Sequence, residues 1–540
     1  MRPLNLIIKK RVNSTINTLR QNKIAVLFFI SYFVIGIMIF RDFGVAWDEL
    51  YQDGIGQMNI LYLIDRDKSV LLTHPDQDHG PIYEMFLVGL GFITGAYENL
   101  ELTNQSSLLF RHLVNFCVFF VGVVFFYFLC RKRFKNNWIA LLGCVFLVLT
   151  PRLFADAFFN SKDTVFLAFF VITTYSLILF LEKRTLLRVA ILAILSAIAI
   201  DIRIAGIIIP LFVGVFLGKD IIVEYVKSKT VQRNVFLLSV YVVITASGVI
   251  LFWPFLWSDP YHNFIYVWER SAHYIQDIQN LYLGEYISAK SLPWHYIPVW
   301  ILITTPPLYI FLFFVGISRL CLLAVKDVRT FILTRDIDIL ILLWLFFPIC
   351  MVIIFQSTIY NGWRHLFFIY PAFILIALHG VATTGRVAKY YFHKQYFSML
   401  FIVIVVVNLM FILKILIEYH PYQNLYFNFF AGDMKSAMKK FETDYWGVSY
   451  RKGLEYILEN DKREIIYIQA ETMPGWANSL ILPDFERERL SYVWAWELHE
   501  KPRPYYYITT FYQSRDDPPH DEVYSIDIQG AKIMGVYKFE

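Results

Sequence analysis

The chain has 540 residues, 57% of them hydrophobic, 18% aromatic and only 17% charged, with a net charge of +5. Soluble domains carry about 25% charged residues, so this composition excludes an ordinary soluble protein and asks for lipid as solvent. The basic residues sit in short clusters between apolar runs, which excludes a nucleic-acid surface.

In chain order, basic residues open the N-terminus and an apolar run follows at 24–40 with no small-residue cleavage site after it. It reads as a retained signal anchor. Further runs that predict spanning helices lie at 107–130, 138–150, 164–181, 186–200, 204–217, 235–257, 296–324, 337–355, 366–382 and 396–417. A span takes about 20 apolar residues, so the count is about eleven. Every second connection is basic, as in Arg131-Lys132-Arg133 and Lys183-Arg184. Basic loops stay in the cytoplasm. This predicts a cytoplasmic N-terminus, a membrane region over 24–417 and an extracytoplasmic C-terminus. The five cysteines, Cys117, Cys130, Cys144, Cys321 and Cys350, lie in or beside apolar runs without metal-ligand spacing and read as small hydrophobes.

The non-basic face carries the chemistry. Asp48 and Glu49 stand together just after the first run, within a long outer loop, 41–106. Like charges beside hydrocarbon tend to raise one pKa, which makes a candidate general base. The same loop holds the acidic stretch His74-Pro75-Asp76-Gln77-Asp78-His79 and a glycine-rich apolar segment, 81–96, that predicts an interfacial helix. After the third run, Arg152, Asp156, Asn160 and Asp163 share one face if helical, which predicts either a lined cavity or a cap on the next span by Ser161 or Asp163. Asp201-Ile202-Arg203 reads as a hairpin tip or as a cation at the outer surface. A second outer loop, 258–293, holds His262, Glu269, Arg270 and His273, and the histidine spacing fits no zinc motif. Arg364 heads a helix after Tyr360-Asn361-Gly362-Trp363, as an interfacial anchor or a fork for phosphate oxygens. The tail, 418–540, predicts a small α/β domain, with a helix over 450–460 and strands over 464–469, 505–510, 524–528 and 532–537.

The order of these features resembles the GT-C class of membrane glycosyltransferases, near the protein O-mannosyltransferases and the aminoarabinose transferases of lipid A. The Asp48-Glu49 pair follows the first span as in that class. His79-Gly80-Pro81-Ile82-Tyr83 resembles the Pro-Pro-Leu-Tyr start of its interfacial helix, with Gly80 in place of a proline. Arg111 opens the second span and Asp163 the fourth. Arg364-His365-Leu366 resembles an Arg-Tyr-Leu segment, with His365 in place of tyrosine. The tail is unlike the β-trefoil domain of eukaryotic relatives.

The resemblance implies an α-helical polytopic membrane protein that moves a sugar, with inversion, from a polyprenyl-phosphate donor to a hydroxyl on protein, lipid or glycan. The expected place is the outer face of a bacterial inner membrane. Asp48 is the expected base, with Glu49, Asp163 and Asp156 as further acids. Arg111, Arg203, Arg364 and His365 are expected on the donor phosphate, and His79, Tyr83 and Lys162 on substrate. No cofactor is required, and a divalent cation is permitted but not indicated. The rival readings are a transporter or flippase of lipid-linked anionic glycans, which would use the same arginines, and a catalytically silent scaffold. Transporters usually show repeated halves and charges near the midplane, and this sequence shows neither.

Overall fold

The computed structural model describes residues 23–66, 71, 76–99, 103–227, 231–272, 278–391, 395–493, 503–513, 518 and 520–540. The basic segment before Lys23, and with it His74 and His273, lies outside the described residues. Every predicted span is helical. In hydrocarbon the backbone finds no water, so a crossing segment must bond to itself. Among the described residues, eight helices are long and apolar enough to cross: Gln105–Phe134, Asp163–Glu182, Ile204–Val226, Gln232–Phe252, Pro307–Lys326, Asp336–Phe355, Arg364–Val387 and Tyr396–Glu418. The pair Asn137–Val148 and Pro151–Phe159, bent by 68°, is together apolar enough for a broken ninth span or a re-entrant loop. Two more of the predicted runs form seventeen-residue helices, Lys23–Ile39 and Leu186–Ile202. At 1.5 Å per residue each is about 26 Å long, slightly short of a hydrocarbon core of about 30 Å. The run at 296–324 is two helices, Tyr296–Thr304 and Pro307–Lys326. Pro306 lacks an amide donor and pushes the residue before it to extended backbone, so the first helix stops there.

The two ends of the bundle differ. At one end ion pairs tie the basic connections together. Arg133 Nη2 donates to Asp338 at 2.9 Å, Lys132 pairs with Glu182 at 2.6 Å, Arg184 with Asp220, and Lys219 with Asp336. At the other end lie the long loops. The first carries helices Glu49–Asp65 and Ile82–Thr94, crossing so closely that a Cβ on Gly56 would stand 2.6 Å from the Glu84 carbonyl oxygen. The second carries helix Pro260–Ala272 and a hairpin of β1 (Gln279–Tyr282) and β2 (Glu285–Ser288). Neither the helix after Asp48 nor this hairpin is evident in the sequence.

The tail forms a five-stranded sheet. Its strands are β3 (Ile466–Ala470), β4 (Leu490–Tyr492), β5 (Tyr505–Thr509), β6 (Asp521–Ile528) and β7 (Ala531–Phe539), in the order β4-β3-β5-β7-β6. β3 pairs in parallel with β4 and β5, and the rest is antiparallel. Helix Tyr450–Asn460 lays Tyr450, Leu454, Ile457 and Leu458 on this sheet. These positions follow the helical repeat, which makes one apolar stripe. Short β4 carries too little period-two pattern to be read from sequence.

The tail grips the loop that carries Asp48. Asn478 accepts from the Val45 amide at 2.8 Å and donates to the Val45 carbonyl at 2.9 Å. The Trp47 amide donates to the Trp446 carbonyl at 3.0 Å, and Arg451 donates to the Phe43 carbonyl at 2.9 Å. A Cβ on Gly44 would stand 2.2 Å from the Val448 carbonyl oxygen, so only glycine permits this approach.

Candidate active site

A cavity of about 890 Å³ opens among these loops. Asp48, Asp76, Asp78, His79, Lys162, Arg203, Arg270, Arg364 and His365 line its polar half. Its apolar half runs down between helices Ile204–Val226 and Asp336–Phe355, past Ile208, Leu211, Phe347, Met351 and Phe355.

Arg364 is the hub. Asn361 (φ 56°) and Gly362 (φ 73°) turn the chain through left-handed backbone just before it. Its Nη1 donates to Asp48 Oδ2 at 2.8 Å and to Asp163 Oδ2 at 3.3 Å. The guanidinium lies 4.7 Å from the Trp446 ring and 5.2 Å from Tyr360, and its Nε has no partner among the described residues. Arg203 pairs with the other oxygen of Asp163. Asp163 thus stands behind two arginines and neutralises one of them. The Asp163 side chain is 1% exposed and that of Asp48 is 32% exposed, so of these two Asp48 is the carboxylate a ligand can reach.

Lys162 forms no hydrogen bond or ion pair through its ammonium among the described residues. Burial, and then the charge of Arg203, lowers its pKa to about 8, against the pull of Asp76, Asp48 and Asp78. Burial, and then Arg364, lowers Arg203 to about 10. Asp78 is raised by burial, while Arg270, 2.6 Å away, opposes that shift. The site thus concentrates Lys162, Arg203 and Arg364 around one space, and each loses hydration that an anion could replace.

The sequence candidates divide cleanly. Asp48, His79, Lys162, Arg203, Arg364 and His365 line the cavity, with Asp163 behind them. Four others do not line it. Arg111 is fully buried between Asp53 at 3.1 Å and Glu84 at 2.5 Å, so both ends of its fork are already used by carboxylates. Glu49 is turned inward, accepting from the Ala46 amide at 2.7 Å and lying 3.0 Å from His112 Nε2. These contacts keep its carboxylate out of the cavity lining. Tyr83 donates to Asn115 at 2.7 Å inside the bundle. Asp156 is 1% exposed and does not line the cavity, but Asn160 Nδ2 joins it, at 3.5 Å, to Asp163, at 3.1 Å, behind Arg364. The cap expected at Ser161 or Asp163 is instead made by Asn160, which accepts from the Asp163 amide at 2.8 Å, while Ser161 donates to Glu84 at 2.7 Å.

Asp201 explains the glycine in His79-Gly80-Pro81. Its Oδ1 accepts from the Ile82 amide at 2.8 Å, capping helix Ile82–Thr94 from across the loops. A Cβ on Gly80 would stand 1.7 Å from the Asp201 carbonyl oxygen, so neither proline nor any other side chain fits there.

The tail domain also puts Tyr445 and Tyr512 in the cavity wall, and nothing in the sequence marks Tyr512. Tyr512 donates to Asn361 at 3.3 Å, and its ring lies 6.3 Å from Trp47. Glu471 holds the Tyr512 loop. It accepts from Thr509 Oγ1 at 2.8 Å and from the amides of Thr510, Tyr512 and Gln513 at 3.2, 3.3 and 2.9 Å. No motif marks this loop.

Residues 100–253 match the family model of dolichyl-phosphate-mannose-protein mannosyltransferases. The match covers less than half of the chain. It includes Lys162, Asp163 and Arg203 but neither Asp48 nor Arg364, and it is consistent with the GT-C resemblance. The oligosaccharyltransferase of Archaeoglobus fulgidus, solved in the apo form, is similar over 86% of this chain at 10% identity and a TM-score of 0.47. The chain spans 64% of that structure's length. No curated protein matches.

Proposed function

We propose that this chain is a membrane glycosyltransferase that takes a sugar from a polyprenyl-phosphate donor and gives it, with inversion, to an acceptor hydroxyl outside the cytoplasm. The observation that carries the reading is one cavity in which a reachable carboxylate faces three cations, Arg364 buried and Lys162 and Arg203 half-buried, at the head of an apolar groove. The groove suits the isoprenoid tail and the cations suit the phosphate.

In the proposed reaction Asp48 takes the proton of the acceptor hydroxyl as its oxygen attacks the anomeric carbon. The bond from that carbon to the phosphate oxygen breaks, and its electron pair leaves on the phosphate. Arg364, Arg203 and Lys162 stabilise the charge that develops there. Asp163 holds the two arginines in register. His79 and His365 flank the sugar, and Tyr445 and Tyr512 form the tail-domain wall. No cofactor enters this scheme, because the guanidinium groups do the work a metal would do. The basic connections support a cytoplasmic position for the opposite end. The family match supports the sugar-transfer chemistry.

The test is reconstitution of the purified chain with polyprenyl-phosphate sugars, together with mass spectrometry of lipids, surface glycans and secreted proteins from cells lacking the gene. Loss of one monosaccharide in the deletion, restored by the wild-type gene but not by Asp48→Asn, supports the reading. An unchanged glycan and lipid profile, with no transfer in vitro, contradicts it.

A further inference from the structure

A second concave site lies at the other end of the bundle. Helix Gln105–Phe134 ends in a basic turn, and Lys135 caps it in left-handed backbone (φ 50°) with its amide on the Arg131 carbonyl at 2.8 Å. Asn136 accepts from the amides of Trp138 and Ile139 at 2.9 and 3.1 Å and starts the next helix at once. The tight turn leaves a cleft of about 820 Å³, with Tyr175 and Glu182 of helix Asp163–Glu182 on its far side.

Several cations at this end are matched by acids. Arg133 is held by Asp338, Arg184 by Asp220 and Lys219 by Asp336. In the cleft itself Glu182 takes Lys132 at 2.6 Å. Arg131 and Lys135, one helical turn apart, have no acidic partner within ion-pair distance among the described residues, and both line the cleft. The cleft therefore keeps two uncompensated positive charges. Phe128 and Trp138 form its mouth, 38% and 65% exposed. Exposed aromatics at the end of spanning helices belong at the level of lipid headgroups.

We propose that this cleft binds the phosphodiester headgroup of an anionic membrane lipid, with Arg131 and Lys135 on the phosphate and the acyl chains descending past Phe128 and Trp138. A basic pocket between spanning helices is suited to that ligand. A zwitterionic headgroup brings its own cation against Arg131 and Lys135 and fits less well. A free phosphate offers nothing to the aromatic mouth.

The test is native mass spectrometry of the full chain in detergent, titrated separately with phosphatidylglycerol, phosphatidylcholine and glycerol 3-phosphate. Phosphatidylglycerol is expected to bind best. Arg131→Gln with Lys135→Gln should weaken it about 30-fold, from two lost charges, and Arg131→Lys with Lys135→Arg should restore it. Equal binding of phosphatidylglycerol by wild type and the glutamine variant would overturn the site. Equal binding of phosphatidylcholine, or of glycerol 3-phosphate, to the wild type would overturn its assignment to an anionic lipid.

Discussion

Arg364 Nη1 bonds Asp48 at 2.8 Å and Asp163 at 3.3 Å, so the proposed phosphate ligand and the proposed base hold each other in the unliganded site. A donor phosphate that claims the Arg364 fork loosens its hold on Asp48. Sugar donor and acceptor should therefore bind in order, donor first. Initial-rate studies with a dead-end acceptor analogue should give uncompetitive inhibition against donor. Competitive or noncompetitive inhibition there would rule out this order.

Arg364→Ala removes a charged pair of hydrogen-bond donors from the phosphate. Donor kcat/KM should fall at least about tenfold. Unchanged kinetics would remove Arg364 from the phosphate site.

The low Lys162 value gives a pH dependence with a definite sign. Burial and Arg203 lower it to about 8, so the ammonium is charged below that pH and neutral above it. Only the charged form attracts phosphate. Donor kcat/KM should decline as pH rises through about 8, and kcat should decline at a higher pH, because bound phosphate favours the ammonium. Lys162→Gln should flatten the decline in kcat/KM at a lower level. An alkaline limb of the same position and depth in the variant would assign it to another group.

Arg111 should matter for folding. Arg111→Ala leaves Asp53 and Glu84 buried without their cation, at a cost of about 3–5 kcal/mol. A large loss of thermal stability in detergent is expected. A stable variant with raised donor KM would instead return Arg111 to the phosphate site.

Chelation tests the metal-free scheme. Transfer by protein treated with EDTA should keep its full rate. Loss of activity, restored by one divalent ion, would require that ion in the mechanism.

The membrane region was legible because hydrocarbon punishes polar residues, so its helices appear as plain apolar runs. Asp48, Arg203 and Arg364 stood out for the same reason, as charges at the ends of such runs. What the sequence hid was pairing. Arg111 and Arg364 look alike as cations at the heads of helices. Only the fold shows that two loop acids consume one and leave the other facing a cavity. Arg270 meets Asp78 from 192 residues away, and Tyr512 reaches Trp47 through a loop ordered by Glu471. Neither contact follows a period or a motif. The Asn160 cap was hidden because Asn, Ser and Asp all serve that role and stand together there.

The most direct test is single-turnover transfer from a polyprenyl-phosphate sugar by Asp48→Asn. The side chain keeps its shape and loses its capacity to take a proton. The rate should fall about 10²–10⁴-fold, with donor affinity and thermal stability near wild type. Transfer at the wild-type rate would contradict Asp48 as the base and, with it, the chemistry assigned to this cavity.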